Sequence, residues 1–374
     1  MLKCKLCGNS DKRYFGKING EDYCRKCINF KGQLAFKEET SKNHILDLNF
    51  DLSSAQEDIS FSIAKARNQK KNVFLYAVTG AGKTELVYRA MLDTLKEGGR
   101  VGFAIPRKDV VIDLYPRIKS AFPKTKVIKV HGGNTTVLEG EIVILTTHQL
   151  YRYPKYFDFL VFDEIDAFPY VDNDVLNNMF LNSINGNYVL MSATPREKEI
   201  NKITSEGGIY LSLTKRYHGG KLIVPNIKLS IMSIFPLLIK KLNEFVISKK
   251  PVFIFVPTIK EAEKLFKLVK MFQKNGEVVH SKNPLREKII EDFKNSKYDY
   301  LITTSILERG VTVKNLQVII YQADHELYDE STLIQIAGRV GRKSDAKDGE
   351  VLFLANKKTE AMVSAIEKIN EANK

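Results

Sequence analysis

A phosphate-binding loop between a strand and a helix restricts the fold more than any other segment of the sequence. The apolar run VFLYAV (73–78) leads directly into TGAGKT (79–84), and a helix-forming stretch, ELVYRAMLDTLKEG, follows. The glycines let backbone N–H groups point at phosphate oxygens, and the start of the helix adds a partial positive charge. The sequence therefore predicts a nucleotide site here, although Ala77 stands where the usual G-x4-G-K-[ST] pattern has its first glycine.

The phosphate-binding pattern predicts a role for each of the six consecutive residues 79–84. Lys83 is predicted to reach the β- and γ-phosphates of a nucleotide, and Thr84 is predicted to ligate Mg²⁺. The remaining residues are predicted to surround the phosphates, and they are Thr79, Gly80, Ala81 and Gly82.

An acidic tetrapeptide ends another apolar run, eighty residues after Lys83. The run FLVF (159–162) is followed by DEID (163–166). The carboxyl ends of parallel strands meet at one edge of a sheet, so these acids are expected beside the nucleotide. Asp163 is predicted to hold Mg²⁺ and Glu164 to orient or deprotonate the attacking water, because phosphoryl transfer chiefly needs positioning and charge neutralisation. Alone, such an acidic strand end is often merely solvated.

Short apolar runs alternate with helical stretches along the chain, which predicts an α/β protein. Near-continuous apolar strands are typical of parallel sheets covered on both faces. Two series of such runs predict two lobes, and 374 residues leave room for about two to three domains. The predicted division is a cysteine module at 1–36, a polar linker at 37–51, a first lobe at 52–211, an interlobe linker at 212–227 and a second lobe at 228–374.

Eleven strands and a closing helix are predicted inside these lobes. The first-lobe strands are 73–78, 101–105, 126–130, 141–147, 159–162 and 188–192. The second-lobe strands are 251–256, 277–280, 300–304, 317–321 and 350–355. An amphipathic helix at 357–374 is predicted to cover the second sheet.

The second lobe carries two arginines three residues apart in QIAGRVGR (335–342). Residues at this spacing lie on one face of a helix. Gly338 and Gly341 would let another surface approach closely, so Arg339 and Arg342 are predicted to neutralise charge that develops on a γ-phosphate. A solvated basic turn is the alternative.

All four cysteines of the chain lie within its first 27 residues, as Cys4, Cys7, Cys24 and Cys27. Two C-x2-C pairs brought together supply the tetrahedral sulfur shell that Zn²⁺ favours in structural sites. Disulfides or redox chemistry are the alternatives, and a reducing cytosol disfavours disulfides. We expect one structural zinc ion.

The cysteine module has a net charge of +5, with Tyr14, Phe15 and Tyr23 among its basic residues. Basic side chains interleaved with aromatics can grip a phosphate backbone and stack unpaired bases. In so small a unit the aromatics can equally form the core. Nucleic-acid contact and docking of a protein partner therefore both stay open.

The net charge of the whole chain is +14. Basic proteins often bind polyanions, but this excess is spread along the chain and also fits a lysine-rich solvated surface. No apolar run approaches the roughly 18 residues of a membrane span, and the N-terminus MLKCKLCGNS lacks the apolar segment of a signal peptide. A cytoplasmic location is expected.

Five motifs, in this order, resemble those of superfamily 2 helicases and translocases. They are AVTGAGKT (77–84), DEID (163–166), SAT (192–194), TTSILERG (303–310) and QIAGRVGR (335–342). The four cysteines ahead of the motor, with RYHGG (216–220) in the linker, resemble the ComFA family, the late-competence ATPases of naturally transformable Gram-positive bacteria. The resemblance covers nearly the whole chain and implies two RecA-like lobes in tandem after a small N-terminal zinc knuckle.

The resemblance also implies roles at matching positions around the nucleotide. Gln56 in LSSAQ matches the glutamine that reads adenine, and Gln335 joins Arg339 and Arg342 as γ-phosphate sensor and finger residues. Ser192 and Thr194 match the motif that couples hydrolysis to lobe movement, and Gly310 matches a residue at the nucleotide edge.

The resemblance further implies contacts with the nucleic-acid backbone. Pro106 and Arg107 match a strand-contacting motif, but the Thr or Ser that usually separates them is absent. The other implied contacts are Thr147, His148, Thr258, Thr303 and Thr304.

The function implied by the resemblance is ATP-dependent translocation of single-stranded DNA, which drives uptake of transforming DNA during natural competence. The implied cofactors are ATP, Mg²⁺ and one zinc ion. The implied partners are single-stranded DNA, a ComFC-like protein of phosphoribosyltransferase fold and the ComEC channel, which would place the protein at the inner face of the cell membrane, and a homo-oligomer is compatible with this picture.

Three alternatives stay open. A replication-restart or repair helicase resembling PriA shares zinc-binding cysteines and a similar motor, but there the cysteines interrupt the second half of the motor. An adaptor could use the motor as a nucleotide-dependent switch for binding a partner or a nucleic acid. RNA is a further substrate, because both lobes mainly contact the backbone.

Overall fold

The structure is a computed structural model, and it describes residues 3–18, 20–167, 169–170, 172–214, 216, 220–304, 313–342, 346 and 348–373. The chain divides by its internal contacts into two compact units. The first comprises Met1–Ala77 and Gly82–Leu213, and the second comprises Val78–Ala81 and Thr214–Lys374. Each unit is built around one parallel sheet, which confirms the predicted α/β class.

The first unit begins with the cysteine module and continues into an alternation of strands and helices. Its strands are β1 (Phe15–Ile18), β2 (Glu21–Cys24), β3 (Val73–Ala77), β4 (Val101–Ile105), β5 (Val127–Val130), β6 (Ile142–Thr146), β7 (Phe157–Asp163), β8 (Ile184–Ser192) and β9 (Ile209–Leu213). Its helices are α1 (Ser54–Asn68), α2 (Lys83–Leu86), α3 (Tyr88–Lys96), α4 (Lys108–Ala121), α5 (Asp174–Ser183) and α6 (Glu197–Ser205).

Seven strands form the main sheet of the first unit, in the order β5-β6-β4-β7-β8-β3-β9. Every neighbouring pair in it is parallel. All residues of β4 and β6 are buried, as central strands covered on both faces require. The carboxyl ends of β3, β7 and β8 therefore lie at one edge of the sheet, and these ends carry the nucleotide loop, the acidic motif and the SAT motif.

The cysteine module packs against the first sheet's helical layer. It contains the antiparallel pair β1 and β2. Cys7, Cys24 and Cys27 belong to the same buried cluster as Met179 and Phe180 of α5. The module is therefore part of the first unit's core.

The predicted polar linker at 37–51 lies along the first unit without helix or strand. The Thr40 hydroxyl donates to the Gly98 carbonyl at 2.9 Å, and the Ser41 N–H donates to Oε1 of Glu141 at 2.8 Å. His44 is buried, and its Nδ1 lies 2.9 Å from Oγ1 of Thr125. These contacts hold the extended segment against the first unit.

The second unit repeats the α/β alternation. Its strands are β10 (Asn226–Leu229), β11 (Val252–Phe255), β12 (Gly276–Val279), β13 (Tyr300–Thr303), β14 (Gln317–Tyr321) and β15 (Val351–Ala355). Its helices are α7 (Phe235–Ile247), α8 (Ile259–Val269), α9 (Arg286–Lys294), α10 (Glu330–Ala337) and α11 (Glu360–Ala372). The sheet order is β10-β15-β14-β11-β13-β12, with parallel pairing throughout.

All eleven predicted strands coincide with observed strands, but the sequence missed β1 and β2 of the cysteine module and β9 and β10 of the two main sheets. β9 alternates between partly buried and exposed residues, and β10 is mostly exposed. Neither β9 nor β10 therefore has the continuous apolar run by which the other strands of the two sheets were predicted.

Candidate nucleotide and nucleic-acid site

The nucleotide loop follows β3 and ends where α2 begins at Lys83. Gly82 adopts φ 75°, and Gly80 adopts φ 84°. Only glycine reaches this left-handed region without strain. A Cβ at residue 82 would also lie 2.6 Å from Nε2 of Gln56, so both the backbone angle and the close approach require glycine at this position.

Lys83 and Asp163 face each other inside the first unit. Nζ of Lys83 lies 4.0 Å from Oδ1 of Asp163, and each side chain is 14% exposed. A carboxylate, the hydroxyl of Thr84 and a nearby ammonium group match the oxygen ligands of Mg²⁺ and the charge of a phosphate. The residues present at this edge therefore fit a magnesium nucleotide.

Glu164 adopts φ 60°, which is uncommon for a residue with a side chain. Its N–H donates to Oδ1 of Asp163 at 2.9 Å. The positive φ and this local bond mark a sharp turn of the chain at the end of β7. Such sparsely populated backbone angles cluster at functional sites.

Asp166 joins the acidic motif to the SAT motif. The hydroxyl of Ser192 donates to Oδ1 of Asp166 at 3.0 Å, and the hydroxyl of Thr194 donates to Oδ2 at 2.8 Å. The Thr194 N–H donates to Oγ of Ser192 at 2.9 Å. One carboxylate thus binds both predicted coupling residues, and the sequence analysis gave Asp166 itself no role.

Gln56 lies in the first turn of α1 and is buried. Its Oε1 accepts from the N–H of Ser53 at 2.9 Å, and Oγ of Ser53 in turn accepts from the Gln56 N–H. This capping box fixes the helix start. The predicted adenine-reading residue is therefore held rigidly, with Nε2 next to Gly82 of the nucleotide loop.

Gln335 lies in the last turn of α10 (Glu330–Ala337) in the second unit, whereas Arg339 and Arg342 follow the helix. The prediction that the two arginines share a helix face was therefore wrong, because the helix ends before either of them. Gln335 and Arg339 are buried, with 4% and 3% of their surface exposed. Nε of Arg342 donates to the Gly338 carbonyl at 3.0 Å, and Gly341 adopts φ 69°. The turn after the helix is thus closed by local bonds and a left-handed glycine, as helix ends commonly are.

The predicted strand contacts of the second unit have structural partners of their own. Thr258 is the N-cap of α8, and its hydroxyl accepts from the Glu261 N–H at 3.2 Å. Thr303 ends β13, is fully buried and donates to the Thr304 carbonyl at 3.1 Å. Gly310 lies outside the described residues.

In the first unit, Pro106 is buried after β4 and Arg107 occupies the N-cap position of α4. Thr147 and His148 begin a 3-10 helix, Thr147–Arg152, directly after β6. Thr147 is fully buried, whereas His148 is exposed. His148 is therefore the more accessible of this pair for a nucleic-acid strand.

The four cysteine sulfurs lie within 4.8 Å of one another. The Sγ atoms of Cys4 and Cys27 are 3.5 Å apart, and those of Cys7 and Cys24 are 3.6 Å apart. Zn–S bonds of about 2.3 Å in a tetrahedron place sulfurs roughly 3.8 Å apart, so all four thiols, which are free here, fit one zinc ion. Nδ2 of Asn9 lies 3.6 Å from Sγ of Cys24, which is the kind of outer contact that orients a metal ligand.

The cysteine module is fastened to the 3-10 helix that carries His148. Phe30 stacks on the His148 ring at 6.2 Å between centroids, with an interplanar angle of 14°. The Tyr151 hydroxyl donates to the Lys31 carbonyl at 2.8 Å, and Nη1 of Arg152 donates to the Gln33 carbonyl at 2.7 Å. The segment after Cys27 therefore lies directly on a predicted strand-contacting element.

The chain matches two family models. Residues 55–203 match the model described as DEAD/DEAH box helicase, and residues 237–344 match Helicase conserved C-terminal domain. With two parallel-sheet units and a nucleotide loop, these matches define an ATP-dependent enzyme of the superfamily 2 helicase class.

Two relatives define the family within that class. Competence protein ComFA of Bacillus subtilis (strain 168) is 34% identical over 398 residues, which span 99% of this chain and 85% of that protein. Competence protein ComFA of Streptococcus pneumoniae (strain ATCC BAA-255 / R6) is 33% identical over 392 residues, covering 100% and 90%. The chain belongs to the ComFA family, which confirms the resemblance found in the sequence.

More distant proteins share the motor fold. ATP-dependent DNA helicase RecG of Streptococcus pneumoniae serotype 4 is 25% identical and covers 84% of this chain and 50% of its own length. The solved structure of S. cerevisiae Dbp5 bound to RNA and ADP BeF3 gives a TM-score of 0.62 at 17% identity, covering 86% of this chain and 91% of that one. RecG bound to a three-way DNA junction gives 0.62 at 21% identity, covering 87% and 47%. At these identities the structural likeness supports the fold alone.

Within the part of the chain that the structure describes, no helix has both the length and the apolar character that crossing a bilayer requires.

Proposed function

We propose that this protein is a DNA-stimulated ATPase that moves along single-stranded DNA and drives uptake of transforming DNA during natural competence. The observation that carries the proposal is the joined set in the first unit, where Lys83 faces Asp163 and Asp166 binds Ser192 and Thr194. The relatives named Competence protein ComFA support the biological setting.

The nucleotide is bound by the loop between β3 and α2. Thr79, Gly80, Ala81 and Gly82 surround the phosphates, and Lys83 neutralises their charge. The hydroxyl of Thr84 and the carboxylate of Asp163 would hold Mg²⁺, which would screen the charge of the phosphate oxygens. Gln56 binds the adenine edge from the start of α1.

Glu164 positions the attacking water and accepts its proton. In this proposal Asp163 serves the metal, and Glu164, at the turn that ends β7, serves the water. Arg339 and Arg342 neutralise charge that develops on the γ-phosphate, and Gln335 senses that phosphate. Gly310 is assigned to the nucleotide edge by its motif alone.

Asp166 transmits the state of the nucleotide to Ser192 and Thr194. It follows Glu164 by two residues, so a change at the acidic motif moves the acceptor of both hydroxyl groups. Ser192 and Thr194 are buried, so a change of their acceptor alters hydrogen bonding inside the core. Asp166 is therefore the proposed link between the acidic motif and the SAT motif.

Single-stranded DNA contacts both lobes through its backbone. The proposed contacts are Pro106, Arg107, Thr147, His148, Thr258, Thr303 and Thr304. Phosphate contacts carry little sequence information, which suits a motor that accepts any incoming strand, and they make binding strongly salt-dependent.

The cysteine module binds one structural zinc ion. It also packs on the 3-10 helix whose His148 is proposed to contact single-stranded DNA. Its segment Phe30–Gln33 lies on the helix that carries His148. Zinc binding would fold the module, and the folded module would hold His148 in position. A ComFC-like protein, the ComEC channel and a place at the inner face of the cell membrane are proposed as the wider setting.

The testing experiment is ATP turnover with and without single-stranded DNA, for the natural chain and the Lys83→Ala variant. We expect single strands to raise turnover severalfold and Lys83→Ala to abolish it, because the phosphates lose their cationic partner. Matched RNA strands and duplexes are run in parallel. Full DNA-stimulated turnover in Lys83→Ala would contradict the site, and robust duplex separation would favour a restart or repair helicase.

A further inference from the structure

Arg216 is a buried arginine in the segment before β10, and no role in the proposed function has yet been given to it. Only 3% of its surface is exposed. Arginine is almost never buried to this degree without a partner that compensates its charge. The groups around its guanidinium therefore show what the residue is for.

The partners of Arg216 are all backbone carbonyls of one turn. Nη1 donates to the Val340 carbonyl at 2.8 Å and to the Gly341 carbonyl at 2.6 Å. Nη2 donates to the Gly338 carbonyl at 3.2 Å. This turn follows α10 and carries the two arginines of the QIAGRVGR motif.

The position of these carbonyls explains why a cation is suited to bind them. They belong to the C-cap residue of α10 and to the turn just beyond it, and the C-terminal end of a helix carries a partial negative charge. Arg216 supplies two donor groups and a positive charge to this end from a distant part of the chain. It therefore closes the turn much as a local capping residue would.

Among the described residues, the hydrogen-bond acceptors of Arg216 are these carbonyls, and no carboxylate pairs with its guanidinium. Burial lowers the pKa of Arg216 to about 10. The guanidinium therefore stays protonated at neutral pH, and all its donors are available. Burying a charged guanidinium against carbonyls alone costs desolvation free energy. We therefore take the role of the contact to be fixing the conformation of the turn after α10.

The turn positions the functional arginines through the same carbonyls. The Gly338 carbonyl accepts from Nη2 of Arg216 and also from Nε of Arg342. Arg339 lies between the residues whose carbonyls Arg216 binds, so its backbone is fixed from both sides. A shift of about 1 Å in a charge-stabilising group can cost a hundredfold in rate.

We propose that Arg216 is a positioning residue for ATP hydrolysis, which holds the turn that carries Arg339 and Arg342 in the geometry that meets the γ-phosphate. The proposal rests on the proposed function of these two arginines. It extends the hydrolytic machinery into the interlobe linker, a segment to which the motor motifs assign no role.

The test compares steady-state ATP turnover of Arg216→Lys and Arg216→Ala with the natural chain. We expect kcat to fall about tenfold in Arg216→Lys, since lysine cannot bond three carbonyls from a planar fork, while the KM for ATP changes less than about twofold. The kcat of Arg216→Ala should fall further than that of Arg216→Lys. Added ethylguanidinium should restore part of this kcat, whereas ethylammonium should not. Lys221→Gln, an exposed change in the same linker, is the matched control and should leave both parameters unchanged.

Thermal unfolding shows whether Arg216→Ala folds, and Arg216→Lys decides the outcome if it does not. An unchanged kcat in Arg216→Lys, or a raised KM at unchanged kcat, would overturn the proposal. Basal turnover is measured as well as DNA-stimulated turnover. If the natural chain hydrolyses ATP without responding to DNA, the proposed function fails while the kcat comparison at Arg216 still stands.

Discussion

The two units hold their motif residues by opposite means. In the first unit an acidic side chain, Asp166, accepts hydrogen bonds from the hydroxyls of Ser192 and Thr194. In the second unit a basic side chain, Arg216, donates to the carbonyls of the turn after α10. Asp166 binds side chains of another motif, whereas Arg216 binds backbone.

This difference teaches which kind of change each unit can undergo. Side-chain hydroxyls can rotate to other partners, so the Asp166 linkage can open and close during a cycle. Backbone carbonyls cannot rotate independently, so the Arg216 contact fixes a conformation. We infer that the hydrogen bonds of Asp166 change partners during the cycle. The contacts of Arg216 instead hold the turn after α10 in one conformation.

The largest expected effect comes from changing Asp166 and Arg216 together. If the two residues contribute independently to the barrier of one limiting step, their free-energy costs add, and the double variant Asp166→Asn/Arg216→Lys should combine two losses of about tenfold into about a hundredfold loss of DNA-stimulated turnover. Turnover of the two single variants and the double variant gives the comparison. A double variant no slower than the slower single variant would show that the two losses do not add, as for residues that act as one unit or limit different steps.

The Asp166→Asn variant alone should separate stimulation from basal hydrolysis. The amide has one acceptor oxygen where the carboxylate has two, so it cannot accept from both hydroxyls in the same way. We expect stimulated turnover to fall about tenfold and basal turnover to change less than about threefold. Asp172→Asn, an exposed carboxylate of the same unit, is the control, and equal losses with and without DNA would place Asp166 in hydrolysis itself.

Removal of the metal should weaken the grip on the strand while it spares the nucleotide site. In Cys24→Ser the sulfur shell loses a buried ligand, and the module's fold depends on that shell. We expect one zinc ion per chain in the natural protein by elemental analysis, and a roughly fivefold higher DNA concentration for half-maximal stimulation in the variant, about 1 kcal/mol. Unchanged DNA response in a zinc-free variant would make the module a docking element for a protein.

The smallest expected effect is at the contact between the module and the strand-contacting helix. Phe30→Ala removes the ring that stacks on His148, and aromatic pairs contribute about 0.5–1.5 kcal/mol. We expect about a threefold rise in the DNA concentration for half-maximal stimulation. Phe36→Ala, the same change at an exposed ring six residues later, should have no effect, and equal responses of the two variants would remove His148 from the account.

The sequence predicted what depends on local chemistry. The nucleotide loop needs glycines before Lys83, and a buried parallel strand needs a continuous apolar run, so both are visible in the order of residues. The cysteine spacing likewise predicted four sulfurs close enough for one ion, as the structure has them. The same reasoning could not predict β9 and β10, because the exposed residues in each interrupt any such run.

The supports of the site could not be predicted because they join distant parts of the chain. Asp166 belongs to a motif, but its partners Ser192 and Thr194 lie 26 and 28 residues further on. In the sequence, Arg216 is identified only as part of the motif RYHGG, and its hydrogen-bond partners lie more than 120 residues away. A buried arginine without a carboxylate is recognised from burial and geometry, and neither is written in the local sequence.

The central claim is that ATP hydrolysis at Lys83 and Asp163 moves the protein along single-stranded DNA. Its most direct test is the rate at which streptavidin is displaced from the biotinylated end of a single strand, with each end labelled in turn. The account predicts faster displacement from one end when ATP is added, and no ATP effect for Lys83→Ala. Displacement that is insensitive to ATP at both ends, under conditions where the natural chain hydrolyses ATP rapidly, would contradict it.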